Sequence, residues 1–549
     1  MSKLANPAAP GLHKFYSAIY AAPNLDYSTG QNLQQYQIYQ TPTEGFTTRR
    51  IDISAIANFD ASYQWPFKNT EAPINGQIAI PEGCGPFPLA IFAHGNHNPP
   101  ENSTSGYLYL CELLASHGII AATIDVNFLN GFNWGENDGR AIAHLEHIKQ
   151  FQIWNTQVGH PLEGKVDLSR VMLIGHSRGG EAVGHASTFN SMSQVQFDPD
   201  APPIPLDGSQ GLGPYQFNLR GVVAIAPTDG QYVPVSGQPS QVHHNYLLLH
   251  GSRDGDVFTF EGYKTYDRSH PVDLANPTQP AVGFKSLLWI YRANHNYFNS
   301  VWMQESERTL ERHQQEQIAK VYISAFAMIV LQDKLEYTDL LRDYHFGVAV
   351  GWLPADIELV SQYQDPHRRF IQHFEEPGVN LAISNPVMGT VEPSSINAKK
   401  QSFFGNPTQI LYQETQGLRL VWSNINGVYR IKLEPETLEI ETFKFLVFRI
   451  GQSKESNNPI GREQDFTIEI GDGLKVVSLK ASSINKIIYP DQYLTSRLLI
   501  ARTVMQTFRI PLEQLQAQGL NVKHLTEIKF AFNIVPSGVL YLDEIQLSN

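Results

Sequence analysis

One serine in this sequence has the neighbours that a catalytic nucleophile needs. Ser177 lies in "GHSRGG" (175–180), directly after the apolar run "VMLI" (171–174) and before a stretch with the composition of a helix. Between a buried strand and a helix, a Gly-x-Ser-x-Gly pattern holds the serine in a sharp, strained turn, and the glycines let the strand and the helix approach closely. The pattern predicts a serine whose hydroxyl projects above the end of a sheet.

A serine hydroxyl becomes an effective nucleophile only when a base removes its proton and an acid orients that base. After a turn of this kind, the acid and then the histidine follow along the chain, each on a loop after a later strand. Asp254 follows the apolar run "LLLHG" (247–251), and His295 follows "LLWIY" (287–291). We therefore predict that Asp254 is the acid and His295 the base.

Alternatives remain for both partners. Asp256 lies two residues beyond Asp254, Asp229 ends the preceding apolar run, and His270 is the second choice for the histidine. Asp254 is favoured because its strand is the one that usually carries the acid in this arrangement. His295 is favoured because it stands in a polar loop directly after the last apolar run.

Hydrolysis by a serine nucleophile also needs two hydrogen-bond donors for the oxyanion of the tetrahedral intermediate. The first is expected to be the backbone amide of Arg178, the residue after the nucleophile. The second is expected in "AHGNHNPP" (93–100), where the amide of Asn96 follows a sharp turn. His97 in the same loop is a candidate for the pocket wall. Zinc binding by His94 and His97 is an alternative that lacks a complementary ligand pattern.

The elements that must position these residues follow from the apolar runs. Between 88 and 293, nearly uniformly apolar runs alternate with helix-like stretches, as expected of parallel strands covered on both faces. Runs at 47–54 and 74–80 are expected to form an antiparallel edge. The pattern predicts an α/β fold with a mostly parallel sheet flanked by helices. A proline-rich insertion at 191–218 is expected to lie on the surface near the site.

The hydrophobic pattern of the sequence changes after about residue 346. Alternating, strand-like runs without helices between them follow, such as "FKFLVFRI" (443–450) and "GVLYLDEIQL" (538–547). We predict a catalytic domain over 1–346 and an all-β sandwich of the jelly-roll type over 350–549.

Composition excludes several classes of protein. A net charge of -13 without a cluster of Lys and Arg argues against a nucleic-acid partner. The sequence contains no run of about 18 apolar residues, so it predicts no membrane span. Cys84 and Cys111 are too few for a disulfide framework. The first residues lack the apolar core of a secretory signal, so a cytoplasmic location is expected.

The motifs "FAHG", "GHSRGG", "HGSRDGDV" and "ANHNYFN" occur in this order within 70–300. They resemble the α/β-hydrolase superfamily, in the branch of serine esterases similar to chlorophyllases, platelet-activating-factor acetylhydrolases and cutinase-like polyester hydrolases. The resemblance implies a carboxylic ester hydrolase that forms an acyl-enzyme through Ser177, Asp254 and His295, without a cofactor. A non-catalytic protein that binds a glycan or polymer, and an amidase or peptidase with the same triad, remain alternatives.

The segment from "FIQHFEE" to "LYLDEIQL" (370–547) resembles galactose-binding-like jelly rolls, which include some carbohydrate-binding modules. The resemblance implies contact with a glycan or polymer. It also suggests Glu375 and Asp543 as candidates for a structural calcium site, although both fit solvent-facing positions in alternating strands. Tyr412, Trp422 and Tyr493 would have to be exposed to bind a sugar.

Overall fold

The computed structural model describes residues 4–25, 39–99, 101–131, 133–234, 237–272, 281–378, 381–404, 412–494 and 498–549. These residues fall into two compact units, one within 1–274 and 285–358, the other within 275–284 and 359–549.

The first unit is built on a large sheet flanked by helices. Its sheet strands are β1 (Phe15–Tyr20), β2 (Gly76–Pro81), β3 (Phe87–Ala93), β4 (Ile120–Ile124), β5 (Val166–His176), β6 (Leu219–Ile225), β7 (Asn245–Gly251) and β8 (Lys285–Ile290). Its helices are α1 (Leu108–Ser116), α2 (Glu136–Thr156), α3 (Arg178–Phe189), α4 (Gly262–Arg268), α5 (Arg312–Gln332), α6 (Thr338–Arg342) and α7 (Tyr344–Ala349).

These eight strands lie in the order β1-β2-β4-β3-β5-β6-β7-β8. The β1/β2 and β2/β4 pairs are antiparallel, and all later neighbours are parallel. Every residue of β2, β3, β4 and β8 is buried. Strands covered on both faces need apolar residues at consecutive positions, which is why their runs do not alternate. The prediction of a mostly parallel α/β sheet is confirmed.

The prediction of the sheet edge was wrong in one strand. Within 47–54 only Arg50–Ile51 is a strand, and it pairs with Ala72–Pro73 outside the large sheet. The edge is formed by β1, in which Phe15 lies opposite Pro81. As an edge strand β1 is partly exposed, so "FYSAIY" lacks the continuous apolar run that marks the inner strands.

The proline-rich segment 191–218 is anchored to α2. It contains the short antiparallel pair Gln194–Val195 with Ile204–Pro205. At its far end, the Glu146 carboxylate accepts hydrogen bonds from the Gly213 amide at 2.9 Å and from the Tyr215 hydroxyl at 2.6 Å. The segment is therefore held against the body of the first unit at a buried acid.

The first unit continues past the domain boundary that was predicted at 346–350 from the sequence. The Trp352 ring lies 5.9 Å from the Tyr337 ring and 5.5 Å from the Phe346 ring. The Tyr291 amide, just after β8, donates a hydrogen bond to the Glu358 carbonyl. Because these residues pack against helical elements of the first unit, the unit extends to Glu358.

The second unit is all-β apart from one short helix and several single turns. Its longer strands are β9 (Leu359–Gln364), β10 (Arg368–Gln372), β11 (Gly389–Ser394), β12 (Asn397–Phe404), β13 (Tyr412–Trp422), β14 (Gly427–Leu433), β15 (Phe445–Gln452), β16 (Thr467–Gly471), β17 (Val476–Lys480), β18 (Gln506–Pro511), β19 (Glu527–Phe532) and β20 (Gly538–Ser548), and the helix is α8 (Leu512–Ala517). One sheet has the order β12-β13-β20-β15-β18, with β10 also paired to β20, and the other has the order β11-β14-β19-β16-β17.

The two sheets of the second unit enclose one apolar core. Leu420 and Leu542 from the first sheet and Ile431, Ile468 and Phe530 from the second belong to the same buried cluster. Strand β14 alternates buried and less buried positions, as expected where a sheet turns only one face to the core. The predicted all-β sandwich is present.

Trp422 belongs to that core. Its side chain is buried, and its indole N–H donates to the Val535 carbonyl at 2.9 Å. It therefore cannot serve as an exposed platform for a sugar ring. Tyr493 is half-buried, and the side chain of Tyr412 lies outside the described residues.

Among the described residues, no helix combines the length and the apolar character that crossing a membrane requires.

Candidate active site

Ser177 occupies the turn between β5 and α3. Its backbone has φ 58° and ψ −124°, a conformation that non-glycine residues rarely adopt. Two backbone hydrogen bonds hold this turn: the Ser177 amide donates to the Ile225 carbonyl of β6 at 2.8 Å, and the Gly180 amide donates to the Ser177 carbonyl at 2.8 Å. The strained turn is therefore held by the end of β6 and by the first turn of α3.

The glycines around Ser177 are required by the close approach of backbone segments. A Cβ at Gly175 would lie 1.9 Å from the Gly179 carbonyl oxygen, and a Cβ at Gly179 would lie 2.6 Å from the Ala93 carbonyl oxygen. A Cβ at Gly95, in the loop after β3, would lie 2.4 Å from the Ser177 Cβ. This loop and the Ser177 turn are thus in direct contact.

We expect Gly175→Ala to destabilise the protein by at least about 3 kcal/mol, because the added methyl group meets a backbone carbonyl that cannot rotate away. Thermal unfolding measures the effect. Gly471→Ala is the matched control, since the nearest atom to its added Cβ would be 3.5 Å away. Equal melting temperatures for the two variants would contradict the packing described for the turn.

Asp254 and His295 are brought together at the ends of β7 and β8. His295 Nδ1 lies 2.7 Å from Asp254 Oδ2. Asp254 Oδ1 accepts hydrogen bonds from the amides of Asp256 at 2.9 Å and Val257 at 2.6 Å, and His250 Nε2 lies 3.2 Å from Asp254 Oδ2. Burial opposes ionisation of Asp254, but the histidine charges and hydrogen bonds outweigh it and hold its pKa below the ordinary value.

The second nitrogen of His295 is available for chemistry. His295 Nε2 is buried and makes no hydrogen bond within the described part of the chain. Burial alone would lower the pKa of His295, yet the charge and hydrogen bond of Asp254, together with Asp256 and Glu305, raise it to about 9. The ring of His176, the residue before Ser177, lies 4.7 Å from the His295 ring.

Glu305 was not predicted as part of the site. Its carboxylate accepts hydrogen bonds from the backbone amides of His295 at 2.5 Å and Asn296 at 3.2 Å, and thereby fixes the loop that carries the imidazole. Burial and the nearby Asp254 charge raise the pKa of Glu305. No local pattern marks this residue, because the contact depends on how the connection between β8 and α5 folds back on itself.

A cavity of about 200 Å³ opens above Ser177. Its lining is mainly polar and consists of Asn96, Ser177, Arg178, Thr228, Gln231, Asp256, Val257, Thr259 and Glu261. Asp256 also connects this cavity to the histidine, because its Oδ2 lies 3.6 Å from His295 Nε2. The structure thus brings Ser177, Asn96 and Arg178 to one cavity, with His295 at its side.

The side chains of the two expected oxyanion residues are both occupied in holding a loop. Asn96 Oδ1 accepts a hydrogen bond from the Gly131 amide at 2.6 Å. Arg178 donates to the Gly131 carbonyl and forms a buried ion pair with Glu136 in the first turn of α2. The Arg178 side chain is therefore a structural clamp.

A buried acid on α3, Glu181, holds two of the residues that line the cavity. Glu181 accepts hydrogen bonds from the Gln231 amide at 2.9 Å, from the Thr228 hydroxyl at 2.7 Å and from the Asn137 side chain at 2.9 Å. It ties the loop after β6 to α2 and α3. No pattern in the sequence predicted this contact.

The alternative acids and bases have other contacts. Asp229 is paired with Arg268 and with Lys264 at 3.3 Å, and it accepts a hydrogen bond from Thr265. Asp256 faces the nitrogen of His295 opposite to the one bound by Asp254. His270 lies beside His243, with 5.9 Å between the ring centroids.

The loop histidines do not form a metal centre in the described residues. His94 uses both ring nitrogens: Nδ1 lies 2.8 Å from the Gly95 carbonyl, and Nε2 accepts a hydrogen bond from the Val126 amide. Burial lowers the pKa of His94 to about 3. His97 stacks on Trp302 and contacts Glu101 at 2.6 Å.

The candidate calcium ligands of the second unit also have other contacts. Asp543 is buried and forms an ion pair with Arg449, at 2.7 Å from Nη2. Glu375 accepts a hydrogen bond from the Gln416 amide at 2.7 Å. A guanidinium cation therefore already neutralises the one acid of this pair that is buried.

The parallel strands, the flanking helices and the turn at Ser177 are consistent with the α/β-hydrolase class. A protein-family model described as Chlorophyllase, an esterase family of this class, matches residues 46–208. The match covers less than a third of the chain; it contains Asn96, Ser177 and Arg178 and ends before Asp254 and His295. No curated protein matches the chain. The family match points to a carboxylesterase-type hydrolase and gives no specific activity.

Proposed function

We propose that this protein hydrolyses carboxylic esters through an acyl-enzyme formed on Ser177. One observation carries the proposal: a buried histidine bound to a buried carboxylate at 2.7 Å, whose other nitrogen makes no hydrogen bond within the described residues and lies beside the cavity that Ser177 lines. Leaving a buried ring nitrogen without a hydrogen bond has a cost. A general base needs that nitrogen for the proton it removes.

The reaction follows from these positions. His295 Nε2 takes the proton of the Ser177 hydroxyl as its oxygen attacks the ester carbonyl, and Asp254 stabilises the imidazolium that forms. The amides of Asn96 and Arg178 donate to the oxyanion. The imidazolium then protonates the departing alcohol, which leaves the acyl group on Ser177. A water molecule activated by His295 releases the acid and restores the serine.

Labelling with an alkyl fluorophosphonate tests the proposal directly. The expected result is one covalent label, on the peptide that contains Ser177, with loss of p-nitrophenyl acetate hydrolysis in proportion to the label. Heat-denatured protein is the control and is expected to remain unlabelled. Ester hydrolysis that persists in fully labelled protein would contradict the serine mechanism. Faster cleavage of a p-nitroanilide than of the matched ester would favour an amidase.

The pH dependence of kcat/KM is a second prediction. Because the pKa of His295 is about 9 and only the neutral imidazole accepts a proton, kcat/KM is expected to rise with pH until about 9. Asp256→Asn removes a negative charge 3.6 Å from Nε2, so the rise is expected to move to lower pH by about half to one unit. Glu44→Gln, at an exposed acid outside the cavity, is the control. A shift to higher pH in Asp256→Asn would contradict the assigned base.

A further inference from the structure

A second cavity lies next to the one above Ser177. Its volume is about 400 Å³, and Gln231 lines both cavities. Three separate segments form its walls: Trp134 precedes α2, Phe197 and Pro199 belong to the proline-rich segment, and Tyr232 and Val233 follow β6. The lining is mainly apolar and aromatic, in contrast to the polar lining around Ser177.

One polar group stands out in this second cavity. Asp138, in the first turn of α2, lines the cavity and is only 3% exposed. Its Oδ1 has no hydrogen-bond partner within the described ranges. A buried carboxyl oxygen without a partner is costly, and such atoms are uncommon in folded proteins. This atom is therefore suited to bind a ligand group.

The charge state of Asp138 suits hydrogen bonding to a neutral ligand. Burial raises its pKa to about 7, and the nearby Glu181 charge adds to the effect, while His185 acts in the opposite direction. At neutral pH, a substantial fraction of this carboxyl is protonated. In either form it can accept a hydrogen bond from a hydroxyl, and in the neutral form it can also donate one.

The two cavities together restrict the substrate. About 200 Å³ of polar space above Ser177 is suited to the ester group and a small polar substituent, and burying a large apolar group there would leave polar atoms without partners. About 400 Å³ is within the usual range of sites for small molecules and holds a ring system. Aromatic walls favour an aromatic ligand, because rings pack in offset or edge-to-face geometry.

We propose that the second cavity binds an aromatic group of the ester substrate, and that Asp138 binds a hydroxyl group on that ring. The proposal rests on the esterase function proposed above and names its substrate class: esters in which a hydroxylated aromatic group extends past Gln231. The aromatic group belongs to the acid or to the alcohol of the ester, and the test has one arm for each.

Matched ester pairs test the recognition of the hydroxyl. In the acid arm the pair is methyl 3-phenylpropanoate and methyl 3-(4-hydroxyphenyl)propanoate; in the alcohol arm it is 2-phenylethyl acetate and 2-(4-hydroxyphenyl)ethyl acetate. In one arm, kcat/KM is expected to be about threefold to tenfold higher for the hydroxylated ester, as for one hydrogen bond. Asp138→Leu is expected to abolish this ratio, and Asp138→Asn to retain part of it. Equal values within both pairs would overturn the role of Asp138.

A variant that fills the cavity tests the location of the ring. Val233→Trp is expected to lower the ratio of kcat/KM for the aromatic ester to that for ethyl acetate by about tenfold or more. Val158→Trp is the matched control, because Val158 is 88% exposed and lies outside both cavities. An unchanged ratio in Val233→Trp, with both proteins folded by circular dichroism, would overturn the proposal.

Direct binding separates this proposal from the esterase proposal. Titration calorimetry on the Ser177→Ala protein, with the intact hydroxylated ester of the preferred arm, measures the affinity of the cavity for the ester without hydrolysis. Binding that Val233→Trp weakens about tenfold or more is the expected result. Hydrolysis of ethyl acetate without such binding would overturn the role proposed for the second cavity and leave the esterase proposal intact. Binding without hydrolysis by the wild-type protein would support this cavity and contradict the esterase function.

Discussion

Ser177→Ala is expected to lower kcat for p-nitrophenyl acetate by about 10⁴-fold or more, because the variant lacks the atom that forms the acyl-enzyme. The remaining rate would come from the oxyanion donors and from binding. The backbone has little reason to change, since alanine keeps the Cβ that Ser177 already carries at φ 58°. Thermal unfolding within a few degrees of the wild-type protein is therefore expected alongside the loss of activity.

Ser187→Ala provides the matched control for this variant. Ser187 lies on the same helix, α3, and its hydroxyl donates to the Gly184 carbonyl at 2.7 Å, as a helical serine commonly does. This variant is expected to hydrolyse the ester at the wild-type rate. A folded Ser177→Ala protein with a rate within tenfold of the wild type would mean that another group is the nucleophile.

The inner strands of the first unit were predictable because their environment imposes a simple pattern. Strands buried on both faces consist of apolar residues at consecutive positions, as in β3 and in residues 171–174 of β5. The edge strand β1 escaped prediction because it is partly exposed and a serine interrupts its apolar residues. The limit of the first unit was hard to predict for a related reason: residues 350–358 have no periodic pattern, and their place depends on packing around Trp352.

The candidate site was predictable where chain position alone determines the geometry. Parallel strands β5, β7 and β8 end at one edge of the sheet, so the residues that follow them come near one another. Glu305 and Glu181 follow no such rule. Each accepts hydrogen bonds from backbone amides, ten residues away for Glu305 and fifty for Glu181, and which amides face which carboxylate is decided by tertiary packing.

The Arg178 side chain illustrates the same limit. From the sequence, only its backbone amide received a role, because the mechanism needs a donor at the position after the nucleophile. In the structure its guanidinium binds Glu136 and the Gly131 carbonyl, and so connects α3 to the loop before α2. The Gly131 amide binds Asn96, so this loop contacts both residues expected to bind the oxyanion. We infer that the clamp fixes the relative position of the two donors.

Asp254→Asn is expected to lower kcat by about 10³- to 10⁴-fold without unfolding the protein. An asparagine at this position can keep the hydrogen bonds from the Asp256 and Val257 amides through its carbonyl oxygen. Its amide group, however, would donate to His295 Nδ1. The proton of the neutral imidazole would then reside on Nε2, the nitrogen that must accept the proton of Ser177, so the base would be in the wrong tautomer.

The same substitution at the two alternative acids distinguishes them from Asp254. Asp256→Asn is expected to change kcat by less than about tenfold, because this side chain is exposed and its effect on His295 is electrostatic. Asp229→Asn is expected to act mainly on stability, with a lower melting temperature and little change in kcat, because Asp229 forms ion pairs with Arg268 and Lys264. A larger loss of kcat in either variant than in Asp254→Asn would mean that Asp254 is not the acid that orients His295. Burial decides the expected order, since of the two aspartates near His295 only Asp254 is shielded from water.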